Sequence, residues 1–119
     1  MDVLDKMLNE FFIIEQTDTR QQIKVRHKMS EILLILVIGV AAGYDTPYEC
    51  LCFAIDNKED FESILPFENG FPSKDTLYRT LALIKPKYLE SLLQLFVEDI
   101  QNDVISIDGK TIKGSKFRN

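Results

Sequence analysis

An apolar run of eleven residues, Ile32 to Ala42, constrains the fold of this chain more than any other feature. The run is too short for a membrane-spanning helix, which needs about 20 apolar residues. A helix over Lys28 to Ala42 would be apolar on all sides, and such a helix has to be covered by other helices. Gly43 suits its C-cap, because glycine readily adopts the left-handed conformation that ends many helices. We therefore predict a central helix in a helical bundle.

The segments before and after this run have patterns that predict further helices. In residues 2–15, apolar side chains recur every three or four positions, as they do on one face of a helix. Thr46 to Glu49 reads Thr-Pro-Tyr-Glu, in which Thr can cap a helix, Pro suits its first position and Glu completes a capping box. This pattern predicts a helix over residues 47–57.

Three more helices are predicted in the second half of the chain. Residues 59–65 can form a short helix that a proline ends. Ser73 is a suitable N-cap for a helix over residues 74–84, and a proline at its first position opens a last helix over residues 86–99. The predicted fold is therefore mainly α, a bundle of five to six helices followed by a short β-strand or hairpin.

The β element is predicted where helical periodicity stops, near residues 101–103. Residues 104–107 read Val-Ile-Ser-Ile, which is typical of a strand, and they lead into Asp108 and an Asp-Gly pair. An Asp-Gly pair between apolar runs is also a strong hairpin signal, and on these residues alone a simple turn is the favoured interpretation. We place a domain boundary here, with a helical domain at 1–102 and the start of a second domain at 103–119.

Asp108 is a candidate metal ligand, because a strand can fix the backbone while a carboxylate at its end binds an ion. Mg²⁺ prefers six oxygen ligands and usually takes one or two carboxylates together with substrate phosphates. Partner acids would therefore be expected on later strands.

Charge is distributed unevenly over a chain whose net charge is −5. Residues 1–107 carry ten Lys and Arg against 18 Asp and Glu, whereas residues 108–119 carry four against one. A second basic cluster, without an acid between Thr19 and Ser30, consists of Arg20, Lys24, Arg26 and Lys28. Such clusters can contact phosphates, and they can equally be the solvated flank of a helix.

Several blocks in order resemble the H-repeat-associated DDE transposases of bacterial insertion sequences. The closing segment from Ile107 to Ser115 resembles their first catalytic motif, and the upstream chain resembles their transposase-associated N-terminal helical domain. The other matching blocks are Asp18-x-Arg20, Arg26-His27-x-Met29-x-Glu31-Ile32-Leu33, Gly70-x-Pro72-Ser73-x-Asp75-Thr76-x-x-Arg79 and the helix start at Pro86. Phe71, Met29 and Lys113 are mild departures from the family pattern.

The resemblance implies that Asp108 is the first acid of a DDE triad in an RNase H-like domain, where it binds Mg²⁺ in the full-length enzyme. The second Asp and the Glu of the family lie well downstream, so we expect this chain alone to be inactive. DNA at transposon ends is the implied partner. Candidate phosphate contacts are Arg20, Lys24, Arg26, His27, Lys28, Lys110, Lys113 and Lys116. For His27, packing at the helix entry is the favoured interpretation and a phosphate contact is the alternative.

Two other functions remain open at this point. The first is an acidic helical module for dimerisation or for binding full-length transposase without direct DNA contact, which the surplus of acids in residues 1–107 favours. The second is an inhibitory transposase fragment. We expect no small-molecule substrate.

The amino terminus lacks the basic start and apolar core of a signal peptide, so we expect a cytoplasmic, nucleoid-associated protein without a membrane segment. Cys50 and Cys52 form a lone Cys-x-Cys and predict reduced, partly buried thiols, not a zinc site. The four tyrosines are too far apart in sequence to predict a stacking surface for single strands.

Overall fold

The computed structural model describes residues 3–15 and 27–103. In these ranges it contains six helices: α1 (Val3–Glu15), α2 (Met29–Ala41), α3 (Pro47–Asp56), α4 (Lys58–Glu62), α5 (Lys74–Leu81) and α6 (Pro86–Asp103). The mainly α fold is confirmed for this part of the chain. The predicted strand at 104–107, the Asp-Gly turn and the start of an RNase H-like domain lie outside the described residues.

Helix α2 is the centre of the bundle, as its sequence predicts. All of its residues except Val40 are buried, and it packs against α1, α3, α5 and α6. Burying one large aliphatic side chain stabilises a fold by about 1.5–3 kcal/mol, so a helix that is covered on every side contributes a large share of the core. Among the described helices, none is both long and apolar enough to cross a membrane.

The end of α2 is formed by a Schellman motif. Gly43 has φ 102°, its N–H donates to the Val40 carbonyl at 2.9 Å, and the Tyr44 N–H donates to the Gly39 carbonyl at 3.1 Å. This pair of bonds defines the motif. Glycine therefore ends the helix as predicted, although the cap itself is Ala42 and Gly43 is the next residue.

Two predicted N-caps are confirmed. The Thr46 hydroxyl accepts from the Glu49 N–H at 3.2 Å, and the Glu49 carboxylate accepts from the Thr46 N–H at 3.2 Å, which completes the capping box of α3. The Ser73 hydroxyl accepts from the Thr76 N–H at 3.2 Å and caps α5. Each such cap is worth about 1 kcal/mol.

Three helix ends differ from prediction by three or more residues. Helix α4 stops at Glu62 and α5 at Leu81, and both continue as turns with i to i+3 bonds, such as Ile84 N–H to Leu81 carbonyl at 3.1 Å. Helix α6 instead runs on past Asp99 to Asp103. Its last turns are held by tertiary contacts: Ile100 is fully buried, and the Gln101 amide donates to the Ala41 carbonyl at 3.0 Å.

Candidate nucleic-acid interface

The structure describes two of the predicted DNA-contact residues, His27 and Lys28. Both lie directly before the first residue of α2. His27 is half-buried and Lys28 is exposed. Lys28 is the N-cap residue, with extended backbone and no hydrogen bond from its side chain to the helix. Its carbonyl accepts from the N–H groups of Glu31 and Ile32 at 3.0 and 3.1 Å. The Lys28 side chain is therefore available to solvent beside the positive end of the helix dipole.

The other predicted site residues lie outside the described residues: Asp108, Arg20, Lys24, Arg26, Lys110, Lys113 and Lys116. Within the described ranges there is no group of three His, Cys, Asp or Glu side chains that could hold a metal ion. The placement of Asp108 as a Mg²⁺ ligand remains a prediction.

Glu31 connects this end of α2 to the loop that leads into α5. Its side chain is 4% exposed, and its Oε2 atom accepts from the Phe67 N–H at 2.7 Å. Phe67 has φ 48°, a conformation that non-glycine residues rarely adopt. A short hydrogen bond to a carboxylate is stronger than a neutral one and offsets part of the cost of burying the charge. The contact therefore fixes the loop against the central helix.

Aromatic rings complete the packing around this loop. Phe67 lies 4.8 Å from Phe71 and 6.3 Å from Phe61, measured between ring centroids. Phe61 in turn packs edge-on against Phe53 of α3, 6.2 Å away. Loop 66–72 is thus held between α3, α4 and α2, and it sets where α5 begins.

Two tyrosines that are distant in sequence meet on the surface between α3 and α5. The Tyr48 N–H donates to the Tyr78 hydroxyl at 3.3 Å, and the Lys74 ammonium lies 4.9 Å from the centroid of the Tyr48 ring. Tyr48 is 44% and Tyr78 40% exposed. A hydrogen bond with the Cys52 side chain is the main cause that raises the pKa of Tyr48. Sequence analysis missed this pair, because 30 residues separate its members.

The two cysteines have different environments and both are free. Cys50 is fully buried, and its thiol donates weakly to the Leu36 carbonyl at 3.8 Å. Burial is the main cause that raises the pKa of Cys50 to about 12. Cys52 is half-buried. The protonated Cys50 thiol is a core group and not a nucleophile.

Comparison with known proteins identifies the family. The family model described as "DDE_Tnp_1-associated" matches residues 12–97. The chain is 38% identical over 105 residues to "Putative transposase YncI" of Escherichia coli O157:H7, and 37% identical over 111 residues to the protein of the same name in E. coli K12. It is 33% identical over 116 residues to "H repeat-associated putative transposase YhhI" of E. coli K12.

This chain belongs to the DDE_Tnp_1-associated family, and its resemblance to the N-terminal domain of the H-repeat-associated transposases is confirmed. The three alignments cover 82%, 87% and 94% of this chain but only 26%, 44% and 30% of the relatives. The chain therefore spans less than half the length of these relatives. No solved structure matches it.

Proposed function

We propose that this chain is the N-terminal part of a DDE transposase and that it binds transposon-end DNA or helps to arrange the synaptic complex. The observation that carries the proposal is the family match over residues 12–97, which includes α2 to α5 and most of α6. The named relatives support DNA transposition as the process.

The proposed DNA contact is the basic cluster between Thr19 and Ser30 together with the basic residues of 108–119. An exposed lysine beside a helix N-terminus suits a phosphate, since both the charge and the dipole attract an anion. Lys28 has this position. The remaining members of the contact are Arg20, Lys24, Arg26, His27, Lys110, Lys113 and Lys116.

A gel-shift titration with a duplex that carries the element's terminal repeat tests this proposal. We expect binding that weakens steeply with salt, and weaker binding after Lys28→Ala combined with Arg26→Ala. Lys58→Ala, an exposed lysine on the acidic helix α4, is the matched control and should bind as the wild type does. No binding of the wild-type chain at low salt would overturn the DNA-binding part of the proposal.

For catalysis we propose that Asp108 is the first acid of the triad and that it acts only in a longer enzyme. There the bound Mg²⁺ would activate water or a DNA 3′-hydroxyl for attack on a phosphodiester. The 119-residue chain alone should not cut DNA. Mg²⁺-dependent nicking by the purified chain, abolished in Asp108→Ala, would show the opposite.

A second candidate function is self-association. Ile13 on α1 and Leu95 on α6 are 55% and 62% exposed, and these two helices pack against each other. Exposed apolar side chains on neighbouring helices suit contact with another protein surface. Light scattering at high protein concentration should show a dimer that Leu95→Glu dissociates, whereas a monomer at every concentration would exclude this function.

A further inference from the structure

We infer that a second DNA contact lies on α5 and the start of α6, in a basic segment, residues 74–87, that contains Lys74, Arg79, Lys85 and Lys87. This inference rests on the proposed function, because it takes duplex DNA as the partner and names a new part of the surface that binds it. The contacted chemistry is the phosphate backbone.

Charge is segregated onto this part of the molecule. Residues 74–87 contain four basic residues and one acid, whereas residues 27–73 contain two Lys and eight acids, and residues 88–103 contain four acids and no Lys or Arg. All four basic side chains are exposed. A basic segment on an otherwise acidic protein attracts a polyanion locally while the acidic surfaces repel it, so the segment can both bind the duplex and orient the protein on it.

The stability of the helices does not explain these lysines. Lys74 is the first residue of α5. The Lys85 carbonyl accepts from the N–H groups of Tyr88 and Leu89 at 2.9 and 3.1 Å, so Lys85 and Lys87 lie at the start of α6. Cations at a helix N-terminus are repelled by the dipole. A bound phosphate would offset this repulsion, because the lysines and the dipole both attract an anion.

The tyrosine pair fixes the position of Lys74 in the basic segment. Lys74 is held against the ring of Tyr48, and the Tyr78 hydroxyl accepts from the backbone of α3. Both rings are partly exposed beside the lysine. Tyrosine hydroxyls and lysine ammonium groups are common partners of DNA phosphates. On α5, the exposed side opposite the buried Leu77 and Leu81 carries Tyr78 and Arg79.

The test compares the salt dependence of binding in three forms of the 119-residue chain, with the terminal-repeat duplex as the probe. The test variant combines Arg79→Ala, Lys85→Ala and Lys87→Ala. The control combines Lys6→Ala and Lys58→Ala, which are exposed lysines outside the basic segment. The slope of log affinity against log salt falls by about 0.9 for each phosphate that the protein no longer neutralises. We therefore expect a shallower slope and at least roughly tenfold weaker binding for the triple variant, and wild-type binding for the control.

The outcomes separate this inference from the proposed function. Circular dichroism first shows whether the triple variant is folded. If the folded variant binds the duplex as tightly as the wild type, with the same salt slope, the inference is overturned and the proposed function stands. Such a result would favour an acidic protein as the partner of the basic segment. If the wild type binds no duplex at low salt, both are overturned.

Discussion

Gly39 of α2 lies directly against Cys50 of α3, with no space for a side chain between the two backbones. A Cβ atom on Gly39 would overlap the Cβ and Sγ atoms of Cys50 and lie 2.8 Å from its Cα atom. Real Cβ atoms do not approach a neighbouring backbone this closely. The close approach of the central helix and α3 therefore depends on glycine at position 39.

Gly39→Ala should destabilise the protein by about 1–3 kcal/mol, because overpacking a core has costs of this size. Helix propensity alone predicts the opposite, a gain of about 1 kcal/mol for Ala over Gly inside a helix. The sign of the change in unfolding free energy, measured by urea denaturation, therefore distinguishes the two effects. A more stable Gly39→Ala protein would show that α3 can move away at little cost.

Removal of the Glu31 acceptor should lower the free energy of unfolding more than removal of its charge alone. Glu31→Leu leaves the buried Phe67 N–H without its partner, which costs about 1–3 kcal/mol. Glu31→Gln keeps an oxygen at the same distance along the side chain and should cost less. Denaturant titration of both variants measures the difference, and equal effects would argue against a structural role of this hydrogen bond.

Cys50 should make stability depend on alkaline pH. Its pKa is raised from the ordinary 9.0 to about 12 in the folded protein. Between these values the unfolded thiol loses its proton while the folded thiol keeps it, so the unfolded state binds fewer protons and stability falls as pH rises. Below the ordinary pKa of 9.0 the effect disappears, because both thiols are protonated.

Thermal unfolding across this pH range should therefore show a steeper decrease of stability in the wild type than in Cys50→Ala. Leu51→Ala, at the buried neighbour in α3, removes no titratable group and is the control, so it should retain the wild-type slope. Thiol-reactive reagents give an independent measurement at a pH of about 8. Cys52 should react well before Cys50, because Cys50 is fully buried and its raised pKa leaves little of the reactive thiolate. Equal rates would show that the core opens readily at α3.

Removal of the capping box at α3 should cost about 1 kcal/mol. Thr46→Ala removes the side-chain oxygen that accepts from the Glu49 N–H, whereas Thr46→Ser keeps it. We expect a lower midpoint of thermal unfolding for the Ala variant and a midpoint close to wild type for the Ser variant. Identical midpoints for all three proteins would show that water fully replaces the cap.

The features that sequence predicts well here depend on neighbours along the chain. The Thr46 and Ser73 caps and the turn at Gly43 each require only a few consecutive residues, and the central place of α2 follows from an apolar surface on every side. The features that it misses depend on residues that folding brings together. Helix α6 extends to Asp103, where Gln101 bonds to Ala41, 60 residues away in sequence.

The candidate interface shows the same division. Lys28 belongs to a basic cluster that is visible in the sequence, and the charge separation of residues 74–87 is visible there too. The contacts of Tyr48 with Lys74 and Tyr78 depend on folding. For Glu31, the sequence shows an acidic residue inside an apolar helix, which is a signal that its side chain has a partner. Its partner, a backbone N–H 36 residues away, has no signature in sequence.

The Glu31–Phe67 bond joins the entrance of α2 to the loop that precedes α5, and so it also joins the two proposed DNA-contacting regions. Because this contact is fixed, Lys28 and Lys74 keep one separation when DNA binds. Phosphates repeat along every duplex, so contact with both regions should depend on the length of the duplex and not on its sequence. A duplex too short to reach both regions should engage only one of them and bind more weakly.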